Sequence, residues 1–194
     1  MTEWKRLEPR DGAELMRGYE RPWWVGGGWA LDLFLGSSTR DHADLDLVVF
    51  RDDQLALREH LAGWDFHVAH EGELTPWTGE RLELPVHTLW ARSEPEGPWE
   101  LEFLLMESSD GMWHFRRDSR VTLELSRVGL VRDGIPFLAP EVPLLYKSKA
   151  PREHDDADFA AVVHELDPRR RVWLAEAIRS QDPSHRWLGA LEGK

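Results

Sequence analysis

Two aspartates separated by one residue, Asp44 and Asp46, open a run that continues through the apolar residues 47–50. Because side chains alternate along a strand, this spacing predicts that both carboxylates face the same way. Mg²⁺ prefers hard oxygen ligands and is commonly held by one or two carboxylates together with substrate phosphates. A carboxylate pair on one strand can hold two ions about 3.5–4 Å apart for phosphoryl transfer. The pair therefore indicates a divalent-metal site, with a solvated strand start as the alternative.

Three consecutive glycines, residues 26–28, lie shortly before this pair. Trp23–Val25 is typical of a short buried strand, and Trp29–Leu35 of an apolar helix. Backbone N–H groups at a helix N-terminus, next to residues without side chains, bind phosphate well. We therefore expect Gly27 and Gly28 to contact phosphates, with a structural turn that binds no ligand as the alternative.

Familiar phosphate motifs do not account for the glycines, since Leu31 replaces the third glycine of a dinucleotide fingerprint and no Gly-Lys-Ser/Thr follows. The glycine run, together with Thr39-Arg40-Asp41-His42 and Asp44-Leu45-Asp46, resembles the corresponding segment of the nucleotidyltransferase superfamily. The closest resemblance is to small bacterial antibiotic nucleotidyltransferases, namely aminoglycoside 2''-adenylyltransferases and lincosamide-modifying relatives. It is close over roughly residues 23–50 and looser towards residue 165.

The resemblance implies an α/β (α+β) nucleotidyltransferase fold, in which helices flank a mixed twisted sheet and a helical segment follows at the C-terminus. It also implies a third carboxylate on a later strand, where Leu101-Glu102 stands. We expect Glu102 to be this metal ligand, with Glu100 and then Glu83 of a preceding predicted strand as alternatives. The family more often has Asp there, and Glu is one methylene longer.

The resemblance further implies basic groups near the phosphates. Arg40 and His42 match its Thr-Arg-x-His stretch, and both are expected at phosphate oxygens. Alternatively, each pairs with Asp41 or Asp44 and holds the loop in place.

A basic and then acidic segment near residue 150 is comparable to a helix near the active site of the related enzymes. Lys147 and Lys149 would lie about 200° apart on an ideal helix, so one of them, Lys147, is expected to face the phosphates. We expect Arg152 to form a loop salt bridge. N-terminal helix charge, rather than metal ligation, is expected of Asp155, Asp156 and Asp158.

The 194-residue chain is 41% apolar, enough for a full core. We place a boundary near residue 139, with a catalytic core at 1–139 and a helical segment at 140–194 that can belong to the same domain. The absence of cysteine excludes disulfides. No apolar run approaches the ~20 residues of a membrane span, and the N-terminus lacks a signal peptide's apolar core. These features predict a cytoplasmic protein without a membrane partner.

The chain carries 36 acidic and 24 basic residues, for a net charge of −12. General nucleic-acid binding is disfavoured, because its affinity depends on Lys and Arg neutralising phosphates. An acidic field favours a cationic small substrate, although acidic surfaces also serve solubility.

Hydrophobic periodicity predicts an N-terminal part of alternating helices and strands, followed by helices from Pro140 onward. Helices are predicted at Ala13–Tyr19 and Gln54–Leu61, and further strands at Trp64–Ala69, 80–90, 99–107, Val121–Leu125, Val128–Val131 and Ile135–Leu138. Most of the eleven tryptophans are expected in the core. Candidates to line a pocket for a sugar ring or base are Trp77, Trp90 and Trp113.

The resemblance implies a metal-dependent transfer of a nucleoside monophosphate, most simply AMP from ATP. Two Mg²⁺ ions, a nucleoside triphosphate and the hydroxyl of a small acceptor such as an aminoglycoside are the expected participants, with Glu102 as general base. A transferase that modifies a protein or tRNA is the first alternative. A non-catalytic relative that binds a nucleotide or small molecule is the second.

Overall fold

The computed structural model describes residues 3–193. Within this range the chain forms ten strands, namely β1 (Trp23–Val25), β2 (Asp46–Phe50), β3 (Asp65–His70), β4 (Glu73–Pro76), β5 (Thr88–Arg92), β6 (Leu101–Ser109), β7 (Met112–Phe115), β8 (Asp118–Glu124), β9 (Gly129–Arg132) and β10 (Ile135–Leu138). The α-helices in the same range are α1 (Pro9–Leu15), α2 (Gly27–Leu35), α3 (Gln54–His60), α4 (Leu125–Val128), α5 (Glu141–Lys147), α6 (Glu153–Val162), α7 (Pro168–Gln181) and α8 (Leu188–Leu191).

The strands form one mixed sheet in the order β4-β3-β5-β6-β2-β1-β10-β9, and β7 and β8 extend from the far part of β6. Strand β2 lies between antiparallel β1 and parallel β6. In the register of the parallel pair, Asp46 stands opposite Glu102. The predicted mixed α/β architecture is confirmed.

The core explains why β2 is central. After Asp46, residues 47–50 are buried, so the strand is covered on both faces. Helix α5 packs against α2 and α7, and buried apolar side chains on both sides of residue 139 belong to one hydrophobic cluster. The division into 1–139 and 140–194 stays a prediction. Nowhere in residues 3–193 is a helix both long and apolar enough to cross a membrane.

Strong local signals predicted their elements correctly. Strands β1 and β10 have the predicted bounds, and β9 and β10 form the predicted hairpin. Its turn residues Asp133 and Gly134 have φ values of 52° and 80°, and a type I′ turn requires positive φ at both of these positions.

Other predictions were wrong in part. Only the end of the predicted strand 80–90 is extended, because β5 begins at Thr88. Pro85 lacks the N–H that a central strand would donate. Two further strands had not been predicted. All of β4 is exposed, so it lacks the alternation that marks a half-buried strand, and β7 has only four residues.

Candidate active site

A cleft of about 660 Å³ lies where β2, β6, α2 and α5 meet. Every site residue that the sequence predicts lines this cleft, namely Gly27, Gly28, Arg40, His42, Asp44, Asp46, Glu102 and Lys147. The structure therefore brings together residues separated by up to 120 positions in the chain. What each of them does there stays a prediction.

The three carboxylates occupy different local structures. Asp46 begins β2, and Glu102 is its partner on β6. Asp44 lies in the bend before β2, so the expectation that one strand carries both aspartates was wrong. Even so, one oxygen from each of the three side chains lies within 4.8 Å of the other two.

Burial and mutual repulsion make this acidic group costly to ionise. Burial, followed by the charge of Asp44, raises the pKa of Asp46 to about 7. Burial, followed by the charges of Asp46 and Asp44, raises the pKa of Glu102 to about 8, and a hydrogen bond from Trp90 opposes this rise. Three carboxylate ligands that repel one another suit a divalent cation, because the ion neutralises them and accepts their oxygens.

The glycine run lets α2 begin beside the carboxylates. The helix begins at Gly27, two residues before its predicted start, and Gly27 has a φ of 55°. A Cβ at Gly27 would overlap the carboxylate of Asp46, and a Cβ at Gly28 would lie 2.5 Å from Arg40 Nη2 and His42 Cε1. Glycine therefore permits both the left-handed backbone and the close approach.

His42 is held by a partner that the sequence did not indicate. Its Nε2 lies 2.7 Å from Oδ2 of Asp32, and its ring packs on Trp29 with centroids 4.4 Å apart. Oδ1 of Asp32 accepts hydrogen bonds from the backbone N–H and the hydroxyl of Thr39. The alternative pairing of His42, with Asp41 or Asp44, was wrong. A signal existed, since an aspartate within an apolar helix needs a polar partner when buried.

Arg40 and Lys147 are neutralised by two aspartates of α6. Arg40 donates to Asp158 through Nε at 2.9 Å and Nη2 at 3.1 Å. Lys147 Nζ lies 2.7 Å from Asp155 and 3.0 Å from Asp158. Burial alone would raise the pKa of Asp158, but the two cations lower it overall. The alternative pairing of Arg40, with the Asp41 or Asp44 carboxylate, was therefore wrong. We call these four residues, with Arg152, the paired cluster.

Arg152 forms the predicted salt bridge, to Asp155 at 3.0 Å. Lys149 also lines the cleft, although α5 ends at Lys147. The helical angle between Lys147 and Lys149 therefore does not apply.

The alternative third carboxylates lie elsewhere. Glu100 is buried rather than solvated, and it accepts hydrogen bonds from Lys5 at 2.8 Å and from Ser93. Glu83 is exposed, outside any strand, and pairs with Arg81 at 2.6 Å. Neither of them lines the cleft, within the residues described.

The three tryptophans proposed for a pocket do not line this cleft. Trp77 and Trp113 are core residues, and Trp90 packs against Trp99. Trp29 lines the cleft instead. The periodicity of the sequence could not separate these positions, because strands and core helices both bury aromatic residues.

Two arginines of the cleft were missed by the sequence analysis. Arg116 and Arg117, in the turn between β7 and β8, line the cleft beside Tyr146. The only sequence signal was that two arginines are adjacent in a turn, and β7 itself had not been predicted.

A family model described as aminoglycoside-2''-adenylyltransferase matches residues 12–162. No curated protein matches the chain.

Several solved structures are similar. The lincomycin-bound crystal structure of the lincosamide antibiotic adenylyltransferase LnuA has a TM-score of 0.55 and 18% identity, covering 82% of this chain and 97% of that one. The solution structure of the antibiotic-resistance factor ANT(2'')-Ia has a TM-score of 0.57 and 17% identity, covering 89% of both chains. A crystal structure of ANT(2'')-Ia with adenylyl-2''-tobramycin has a TM-score of 0.52 and 20% identity, covering 87% and 93%.

At these identities the solved structures show a shared nucleotidyltransferase fold. The family model spans most of the chain, including the glycine run and all three carboxylates. The predicted resemblance is confirmed, and the chain belongs to the aminoglycoside-2''-adenylyltransferase family of nucleotidyltransferases.

Proposed function

We propose that this protein transfers a nucleoside monophosphate, AMP from ATP, to a hydroxyl of a small molecule such as an aminoglycoside or a lincosamide, and releases pyrophosphate. One observation carries the proposal. The side-chain carboxylates of Asp44, Asp46 and Glu102 lie close together beside the N-terminus of α2. The cytoplasm, where nucleoside triphosphates are available, is the proposed location.

Asp44, Asp46 and Glu102 would hold the divalent ions, two Mg²⁺ in this proposal. Their oxygens lie within 4.8 Å of one another, and their mutual repulsion is relieved when a cation binds. When bound, the ions neutralise the triphosphate and stabilise the attacking and leaving oxygens.

The chain supplies positioning and charge around the triphosphate. Backbone N–H groups of Gly27 and Gly28 precede the first helical hydrogen bond of α2, from Ala30 to Gly26, and so are available to phosphate oxygens. Arg40 and Lys147 add positive charge at the cleft wall. His42, fixed by Asp32, positions the loop against Gly28.

In the proposed reaction, Glu102 accepts the proton of the acceptor hydroxyl. The hydroxyl oxygen forms a bond to the α-phosphorus, the bond from that phosphorus to the bridging oxygen of the β-phosphate breaks, and pyrophosphate leaves. In-line positioning and charge neutralisation are what such a site contributes to phosphoryl transfer.

The acceptor class is supported by the bound molecules in the similar structures. LnuA holds lincomycin, and ANT(2'')-Ia holds adenylyl-2''-tobramycin. These bound molecules define the first panel to be tested.

Pyrophosphate release should be measured with MgATP and a panel of aminoglycosides and lincosamides, with a reaction lacking acceptor and an EDTA-treated reaction as controls. We expect acceptor-dependent release that EDTA abolishes, together with a product heavier than the acceptor by one AMP unit. Radiolabel from α-labelled ATP that enters protein or tRNA of a cell extract, and no small molecule, would overturn the proposed acceptor class.

A further inference from the structure

Part of the cleft wall carries positive charge that the proposed mechanism does not use. Arg116 and Arg117 occupy the turn between β7 and β8, and Lys149 follows the end of α5. All three side chains line the same cleft as the carboxylates.

The two arginines are held in place without being neutralised. Nη1 of Arg117 donates to the backbone oxygen of Tyr146 at 2.9 Å, and the Cζ atoms of both arginines lie 5.5 Å from the Tyr146 ring centroid. In residues 3–193, neither guanidinium has a carboxylate within salt-bridge distance. The nearby Glu107 is bonded to Arg51 at 2.7 Å.

The positive charge of the two arginines affects the pKa values of neighbouring groups. Burial lowers the pKa of Arg117, and Arg116 lowers it further. Burial is the main cause that lowers the pKa of His87, which lines the same wall. The positive charges of Arg116 and Arg117 lower this pKa further. Arg116 is half-buried and Arg117 is exposed, so both guanidinium groups are accessible to an anion that enters the cleft.

The contrast with the paired cluster identifies where an anion is needed. Arg40 and Lys147 already have the carboxylates of Asp155 and Asp158 within 3.1 Å. Arg116, by contrast, has no anionic partner among the described residues. An arginine fork matches the geometry of phosphate oxygens and can donate two parallel hydrogen bonds.

We propose that Arg116 and Arg117, assisted by Lys149, form a subsite that binds a phosphate oxyanion in this cleft. Identifying the source of that oxyanion rests on the proposed function. The β- and γ-phosphates of the nucleoside triphosphate are the first source, and a phosphate carried by the acceptor is the second.

The experiment compares the wild type with Arg116→Gln, Arg117→Gln, the double variant and Lys149→Met by calorimetric titration in Mg²⁺. The probes are α,β-methylene-ATP, pyrophosphate and AMP. Arg120→Gln is the matched control, because Arg120 lies in the same hairpin, pairs with Asp118 at 2.8 Å and does not line the cleft. Thermal unfolding of every variant checks folding, and we expect little change because neither cleft arginine has a carboxylate partner.

We expect Arg116→Gln, at the half-buried arginine, to weaken binding of pyrophosphate and the ATP analogue by about 10-fold or more, since a charge-assisted hydrogen bond to phosphate is lost. Arg117→Gln and Lys149→Met should each weaken this binding about threefold, because Arg117 and Lys149 are exposed. AMP affinity should stay within about twofold, and Arg120→Gln should behave as the wild type.

A second titration distinguishes the two sources. If the arginine variants bind the ATP analogue normally but lose binding of inorganic phosphate to analogue-saturated protein, the subsite is supported and its ligand belongs to the acceptor. If the double variant matches the wild type in both titrations, the subsite is overturned. Failure of the proposed function is separate, because the wild type would then show no metal-dependent binding of the ATP analogue at all.

Discussion

Two groups of charged side chains share one cleft. In one group opposite charges form ion pairs, and in the other like charges repel one another. In the paired cluster, Asp158 accepts from Arg40 and Lys147, and the pairs lower its pKa. In the acidic group, Asp46 and Glu102 face each other with raised pKa values and repel one another. Charge that is already compensated holds the structure together, whereas uncompensated charge costs stability and is retained for a ligand.

Replacing Asp46 by Asn should have the largest effect on activity. We expect nucleotide transfer to fall by about 10³-fold or more, because a metal ligand is lost. In EDTA, the same change should raise the melting temperature by a few degrees, since it removes a buried repelling charge. Turnover assays and calorimetry measure the two effects. Asp41 is an exposed residue of the neighbouring loop, so Asp41→Asn should change neither the turnover nor the melting temperature. Retained turnover would contradict a metal role for Asp46.

The same chemical change in the paired cluster should have the opposite sign for stability. Asp158→Asn leaves Arg40 without its carboxylate and Lys147 with only Asp155. We expect the free energy of unfolding to fall by about 3 kcal/mol, the size typical of removing one partner from a buried ion pair. Denaturant unfolding should show this, with Glu153→Gln, an exposed acid in the first turn of the same helix, as control. A loss no larger than that of the control would break the contrast.

The pH dependence of the metal-free protein should show the smallest effect. Folding raises the pKa values of Asp46 and Glu102 to about 7 and 8, so the folded state binds more protons than the unfolded state between about pH 4 and pH 8. Stability in EDTA should therefore fall as the pH rises through this range, and the melting temperature should fall with it. Saturating Mg²⁺ should remove most of the slope. A slope that is the same in the Asp46→Asn, Glu102→Gln double variant would show that other groups cause it.

The sequence predicted features formed by residues that are close together in the chain better than contacts between residues that are far apart in it. The glycine run, β1 and β2 lie within 28 positions, and their local patterns predicted these elements, although not the start of α2 or of β2. Arg40 and Asp158 are 118 positions apart, and no periodicity in either segment indicates the other. The partner of His42 was closer, ten positions away in α2, but choosing Asp32 over Asp41 required the loop conformation.

The charge of the cleft differs from that of the whole chain. The net charge is −12, whereas more Arg and Lys than Asp and Glu side chains line the cleft. Net charge sums over the whole surface, whereas binding responds to the charges within about a Debye length, roughly 8–10 Å in physiological salt. The arginines in the β7–β8 turn contribute to this difference, and only the fold places them there.

The register between β2 and β6 has a consequence for ion choice. Asp46 and Glu102 are paired across two strands, and the backbone around them is bonded on both sides, through Gly26 N–H to Asp46 O at 2.9 Å and Glu102 N–H to Leu45 O at 3.1 Å. The ladder thereby fixes their Cα separation. In the proposed metal site, Asp44 is the carboxylate whose backbone lies outside that ladder, so we expect its position to adjust most when a larger cation replaces Mg²⁺.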